Sequence, residues 1–406
     1  MIKLQRPEGT RDYLPEMATK KRYIEGRLDK VFKSWGYDDI ITPTFEFYDI
    51  LSAGTEGLQT KMYKFFDRKG QILALRPEMT ASIARVAATK LKDEPLPLRL
   101  AYQSNVFRYE APRAGQYREF YQVGIELLGV SSPMGDAEVI AIAAKSLAES
   151  GLKNFKIDIG DVDYFGGIMK AAKLDEGLQA KIRTALADRN TVKLQELLLD
   201  TELTKRQKEA ILSAQEFRGG LEVIVKAKDL VDNEESLEAL VNLEEVYKNL
   251  EMMGVDDYIC IDLSVVRSFD YYTGIVFEGY SKDLGYTICG GGRYDSLVSK
   301  FGYSIPATGF AIGTDRLLLS LEKQGYEFAK EIDRTLLLIG AKYKEEGFKL
   351  ADKLRKEGRA VEIEIEGREL KEIIDYVNSK DLSIEVVGSE ELKQRLRDIK
   401  VERREQ

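Results

Sequence analysis

Residues 105–129 read NVFRYEAPRAGQYREFYQVGIELLG, a strand, a polar loop and a second strand. Arg108, Gln122 and Glu126 stand there among apolar and aromatic residues. Strand side chains alternate between faces with a period of two. Phe120, Gln122, Gly124 and Glu126 therefore share one face, and Tyr121, Val123, Ile125 and Leu127 the other. An amide and a carboxylate on one face point either into a pocket or to water. In a pocket, both can accept hydrogen bonds from a cationic group. The loop over residues 111–118 carries Arg113, Gly115 and Arg118, the residue types of a phosphate-facing hairpin. Gln116 stands where one more arginine is expected.

Composition excludes several other chemistries. The 406 residues contain no histidine, which removes Ser-His-Asp triads, His-activated cysteines and histidine metal sites. Cys260 and Cys289 lie far apart without metal spacing, as in a cytosolic chain with reduced thiols. A net charge of −8 argues against a wholesale polyanion-binding surface, although a local basic patch stays open. With 44% hydrophobic and 32% charged residues, the profile is that of a soluble globular protein. There is no apolar run of transmembrane length and no signal-peptide pattern at the start, so a cytoplasmic location is expected. The length implies two or three domains.

The elements that must position these residues follow from periodicity. Tyr23, Ile24, Leu28, Val31 and Phe32 recur at helical spacing over residues 20–35. Strands are expected over 39–44, 71–75, 98–103 and 105–110, with a helix starting at Pro77. An Ala/Ile-rich helix over 136–149 and a strand over 155–159 follow. Residues 164–256 are rich in Leu, Lys and Glu at helical spacing, with little strand signal. Strand patterns return at 259–263, 274–280 and 286–289, before a helix near Asp315. After a linker over 323–333, strands at 335–339, 360–365 and 383–387 alternate with helices, as in a compact parallel unit.

Six phrases in order carry a family resemblance: GTRDYLP (9–15), LRPEMT (75–80), the 105–129 segment, VRSFDYYTGIVFE (266–278), GGGRYD (290–295) and GFAIGTDR (309–316). Together they resemble the histidyl-tRNA synthetase family over nearly the whole chain. The resemblance implies an α+β fold: a class II aminoacyl-tRNA synthetase-like antiparallel sheet flanked by helices, with a helical insertion and a small C-terminal α/β domain. The implied boundaries are 1–163 and 257–325 for the core, 164–256 for the insertion and 334–406 for an anticodon-binding-like domain.

Two families share this scaffold, the synthetase and the regulatory subunit of ATP phosphoribosyltransferase, the first enzyme of histidine biosynthesis. By resemblance, the histidine-binding residues are Glu78, Thr80, Gln122, Glu126, Arg267, Tyr271 and Tyr272. Glu78 and Gln122 would hold the ligand's ammonium, Arg267 its carboxylate, and Glu126 and Tyr272 its imidazole. Arg108 and Arg316 match a nucleotide site that would be vestigial. The loop reads EAPRAGQYR where synthetases read close to ERPQxGRYR, so Ala111 and Gln116 have each lost a guanidinium. Losing one group that stabilises developing negative charge costs on the order of a hundredfold or more. Met79 replaces a glycine common in bacterial synthetases, and RPEMTASIAR and FGYSIPATGFAIG look more like the regulatory subunit. Arg267 points towards the synthetase.

In the C-terminal domain, Glu362, Glu364, Glu366, Glu372 and Asp375 argue against RNA, while Ile373 and Ile374 are read as added apolar surface. The resemblance thus implies an allosteric, non-catalytic subunit with no catalytic residues, no cofactor and no metal. Its partner would be a short-form ATP phosphoribosyltransferase catalytic subunit in a hetero-octamer, with histidine as regulatory ligand. A homodimer would form through the N-terminal motif, and neither nucleic acid nor membrane is an expected partner. The alternatives are an active histidine-tRNA ligase and an amino-acid sensor with another partner. The absence of histidine suits a subunit that is needed when histidine is scarce.

Overall fold

The computed structural model describes residues 4–111, 116–199, 201–213, 216–265, 271–282, 285, 287–329 and 333–402. The chain divides into two compact units, Met1–Tyr326 and Glu327–Gln406. In the first unit, β1 (Asp38–Asp39), β2 (Phe45–Phe47), β3 (Lys64–Phe66), β4 (Ile72–Leu75), β5 (Leu98–Phe107), β6 (Glu119–Leu128) and β7 (Phe155–Asp161) precede a largely helical stretch. Then come β8 (Arg218–Gly219), β9 (Ile259–Asp262), β10 (Ile275–Ser281), β11 (Cys289–Arg293) and β12 (Ala307–Gly313). Nine of these form one sheet in the order β1-β5-β6-β12-β11-β10-β7-β9-β8. The expected antiparallel sheet is mixed: its centre is antiparallel, while β1 runs parallel to β5 and β9 parallel to β7.

The helix Pro15–Ser34 starts on a proline and buries Ile24, Leu28, Val31 and Phe32. The Phe32 ring meets Phe310 of β12 edge-on at 6.0 Å, which fixes this helix against the middle of the sheet. The helix Pro133–Glu149 buries an almost continuous alanine, valine and isoleucine face. The expected strands over 98–103 and 105–110 are one strand, β5, paired along its whole length with β6. The glycine run at 290–292 belongs to β11, buried between β10 and β12.

The stretch over 164–256 holds helices as expected, several capped by Asp or Asn side chains at their N-termini. It also contains β8, which pairs antiparallel with β9 and stitches the stretch to the main sheet. Two residues of pairing are too short for a periodic signal to reveal.

A second sheet, β2-β4-β3, has three strands and exposes Phe45, Phe47, Phe65, Phe66 and Ile72. Among the described residues, no helix is long and apolar enough to cross a membrane.

In the second unit, β13 (Arg334–Ile339), β14 (Ala360–Ile363) and β15 (Ser383–Val387) form a parallel sheet in the order β14-β13-β15. Alternation along β13 sends Leu336 and Leu338 to a core with Ile373, Val377 and Leu382, and Leu337 to one with Ala351, Leu354 and Val361. Ile373 and Ile374, read as apolar surface, are 1% and 3% exposed and belong to the interior. Glu362 is engaged by Arg334 and by the Tyr376 hydroxyl, and Glu364 by Arg368, so part of the acidic face is paired internally. The charged stretch after Val387 forms a helix, Glu390–Glu402.

Candidate functional site

The polar face of β6 opens into a cavity of about 130 Å³. Glu78, Thr80, Gln122, Glu126, Tyr271, Tyr272, Arg108 and Arg316 all line it, although the sequence spreads them over more than two hundred residues. Arg267 lies outside the described residues, as do Arg113 and Gly115.

Register explains how β6 exposes a carboxylate at the middle of a sheet. Glu126 pairs with Leu100 on β5 and with Gly309 on β12. A Cβ at Gly309 would overlap Glu126 Oε2 and stand 2.6 Å from the Ile125 carbonyl oxygen. Glycine is therefore required beside the carboxylate. Gly124, two residues earlier on the same face, plays the same part under Tyr102, whose hydroxyl would stand 2.6 Å from an added Cβ.

Glu126 is 1% exposed. Its carboxyl accepts a hydrogen bond from Thr80 Oγ1 at 2.9 Å and a short one from the Tyr294 hydroxyl. Burial pushes its pKa up to about 8, against the pull of these two hydrogen bonds, and the nearby Glu78 charge adds to the rise. Burial likewise raises Tyr294 and Tyr102 well above the ordinary tyrosine value, so both remain donors.

Glu78 has a double task. Its carboxylate accepts from the backbone N–H of Thr80 and, at 3.0 Å, of Ala81, the first N–H groups of the helix Thr80–Thr89. It thereby caps a helix that the sequence placed three residues too early, at Pro77. Burial raises its pKa, opposed by those N–H bonds and by Arg108. The Gln122 side-chain oxygen is buried and has no hydrogen-bond partner within the described structure. A buried polar atom without a partner is costly, so a donor arriving from a ligand would be favoured. Tyr271 and Tyr272 sit with ring centroids 4.8 Å apart, and Tyr271 meets Tyr294 edge-on at 6.0 Å. This end of the cavity therefore combines acceptors for a cation with aromatic walls for a flat ring.

The other end differs. Arg108 donates from Nε to the Pro77 carbonyl at 2.8 Å, and its guanidinium stands 5.3 Å from the Phe120 ring. Burial lowers its pKa, with Glu110 and Glu78 opposing. Arg316 donates to the Thr287 carbonyl at 2.7 Å. Gln116 donates its amide to Glu110, which also pairs with Lys61 at 2.8 Å. Burial pushes Glu110 up, but Lys61, Gln116 and Arg108 outweigh it and hold the carboxyl below its ordinary value. Asp315 is bound by Arg11, by the Tyr13 hydroxyl at 2.5 Å and by the Tyr121 N–H at 3.3 Å. Among the described lining residues, four carboxyl groups (Glu78, Glu110, Glu126, Asp315) face two guanidinium groups (Arg108, Arg316).

The residues missed from sequence are Tyr294, Tyr102, Asp315, Arg11 and Tyr13. Four of them fall within GGGRYD, GFAIGTDR and GTRDYLP, so their motifs were visible while their roles were not. Tyr102 had a weaker signal, its place on the strand paired with β6.

A family described as histidyl-tRNA synthetase matches residues 9–317. The ATP phosphoribosyltransferase regulatory subunit of Halothermothrix orenii is 44% identical over 370 residues, covering 90% of this chain and 88% of that protein. A histidine–tRNA ligase of Methanocaldococcus jannaschii is 40% identical over 400 residues, covering 97% and 94%. A crystal structure of an ATP phosphoribosyltransferase regulatory subunit/histidyl-tRNA synthetase from Bacillus halodurans superposes with a TM-score of 0.86 at 34% identity, covering 96% of this chain and all of that one. The chain belongs to the histidyl-tRNA synthetase family, among relatives that carry the name ATP phosphoribosyltransferase regulatory subunit.

Proposed function

We propose that this chain is a non-catalytic regulatory subunit of ATP phosphoribosyltransferase that binds histidine in the cavity over β6. Histidine would place its imidazole between Glu126 and the tyrosines, and its ammonium near Glu78 and Gln122. The observation that carries the reading is the pairing of Gln116 with Glu110 in a cavity where carboxyl groups outnumber guanidinium groups among the described residues. A triphosphate needs positive charge where Gln116 offers a neutral amide already engaged. An amino acid carrying a cationic or hydrogen-bonding side chain meets acceptors instead.

In this reading the synthetase-like core (1–163, 257–325), the helical insertion (164–256) and the small domain (334–406) form a cytoplasmic scaffold for a short-form catalytic subunit. The exposed phenylalanines of the β2-β4-β3 sheet support self-association through the N-terminal region, and a hetero-octamer would follow from dimers on both sides. Histidine would favour one state of the assembly, and a coupling of about 1–3 kcal/mol suffices for feedback.

The test has two arms. Calorimetry should detect histidine binding by the chain alone, and addition of the chain should raise the catalytic subunit's activity and make it sensitive to histidine. Histidine-dependent exchange of pyrophosphate into ATP should be absent. A second reading, an active histidine–tRNA ligase, is favoured by the retained Arg108 and Arg316 and by the archaeal ligase relative. Clear exchange by the purified chain would decide for it.

A further inference from the structure

The helix Glu234–Met252 buries one face through Ala239, Leu240, Leu243, Val246 and Leu250. Leu237, Val241 and the carboxylates of Glu234, Glu238 and Glu245 recur three or four residues apart on another face. With Pro133, the first residue of the helix Pro133–Glu149, they line a groove of about 590 Å³. Val241, one of its lining residues, is 53% exposed. No lysine or arginine lines the groove among the described residues. Glu235 and Glu244, on the flanks of the same helix, are paired with Lys170, Lys228 and Lys248. Glu234, Glu238 and Glu245 have no cationic partner among the described residues. Like charges one turn apart on a helix repel, and a cationic partner would relieve them.

We propose that the groove docks a basic amphipathic helix of a partner protein, apolar side chains on Leu237, Val241 and Pro133, lysines or arginines against Glu234, Glu238 and Glu245. The proposal rests on the reading of this chain as a subunit of a hetero-oligomer, and it places the catalytic partner's contact here. Both walls of the groove lead to the cavity. Asn242, on the groove, donates to Asp161 at 3.1 Å, and the following N–H, of Val162, donates to the Gly274 carbonyl at 3.0 Å, two residues from Tyr272. From the other wall, Asp136 accepts from Arg293 at 2.8 and 3.0 Å, and the Arg293 carbonyl accepts from the Thr273 N–H at 2.9 Å. A helix seated in the groove thus presses on elements that hold the segment carrying Tyr271 and Tyr272.

The experiment compares the full chain with E238K/E245K and with V241D, each mixed with the catalytic subunit at low and high salt and followed by sedimentation. Association should weaken at least about tenfold in each variant. Salt should weaken the wild type and leave E238K/E245K nearly unaffected. Unchanged unfolding midpoints control for folding. Unchanged association in the variants overturns the groove while the subunit reading stands. Failure of the wild type to associate overturns both. A changed self-association state in the variants, with normal binding of the catalytic subunit, would make the groove a contact between copies and overturn the proposal.

Discussion

The carboxyl of Glu126 predicts how ligand affinity depends on pH. In the empty cavity its pKa stands at about 8, because burial outweighs the hydrogen bonds from Tyr294 and Thr80. At pH 7 the free site therefore holds a proton on most molecules. Free histidine, with an imidazole near pKa ~6.5, arrives mostly neutral. The complex then needs one proton, shared between carboxyl and imidazole, and it is already present. Affinity should be flat between pH ~6.5 and about 8, with no net proton exchange. Above pH 8 the free carboxyl is ionised, binding must take up a proton, and affinity falls about tenfold per unit. Below ~6.5 the ligand brings a surplus proton that must be released, and affinity falls again. The substitution E126Q keeps the volume and removes the titration. It should lose ~1.5–3 kcal/mol, about tenfold to a hundredfold, at pH 7. Calorimetry in buffers of different ionisation enthalpy measures the proton number directly. Deprotonation of the ligand's own ammonium appears in both proteins, so the difference between them is the signal. Equal proton uptake by wild type and E126Q above pH 8 would refute the assignment of Glu126 to the imidazole.

Further outcomes follow from the same geometry. A carboxyl whose folded pKa of about 8 exceeds its unfolded 4.5 is more protonated in the fold, so its stabilising contribution fades as pH rises through that window; ligand-free E126Q should lose less stability between pH 5 and 8, read by urea midpoints. Gly309→Ala drives a Cβ into Glu126 and the Ile125 carbonyl, so it should cost ~1–3 kcal/mol or more and abolish histidine binding; normal binding by a stable G309A protein would contradict the close approach. Arg293→Ala leaves the buried Asp136 without its partner and should cost ~3–5 kcal/mol by denaturant titration. Gln116→Arg supplies the missing charge and should tighten ATP binding about tenfold or more; unchanged affinity would show that charge at this position does not govern nucleotide binding.

The order of motifs along the chain decided the family, and period-two spacing placed Gln122 and Glu126 on one face of β6. Local hydrophobic spacing was enough for most of the first helix, expected over 20–35 and found at Pro15–Ser34, for the helical character of 164–256 and for the alternation of the second unit. Whether that polar face met water or a pocket was beyond local pattern, since it depends on β12 lying beside β6. The strand expected over 286–289 stopped short of the glycines at 290–292, because strand propensity says nothing of close backbone approach, which their place between β10 and β12 demands. Ile373 and Ile374 read as surface because a single helix does not say which of its faces is covered. Only the tertiary structure brought Tyr294 to Glu126 across 168 residues and Arg11 to Asp315 across 304. It also set the titration of Glu126, because a pKa follows the solvent and charge around a group and not its place in a motif.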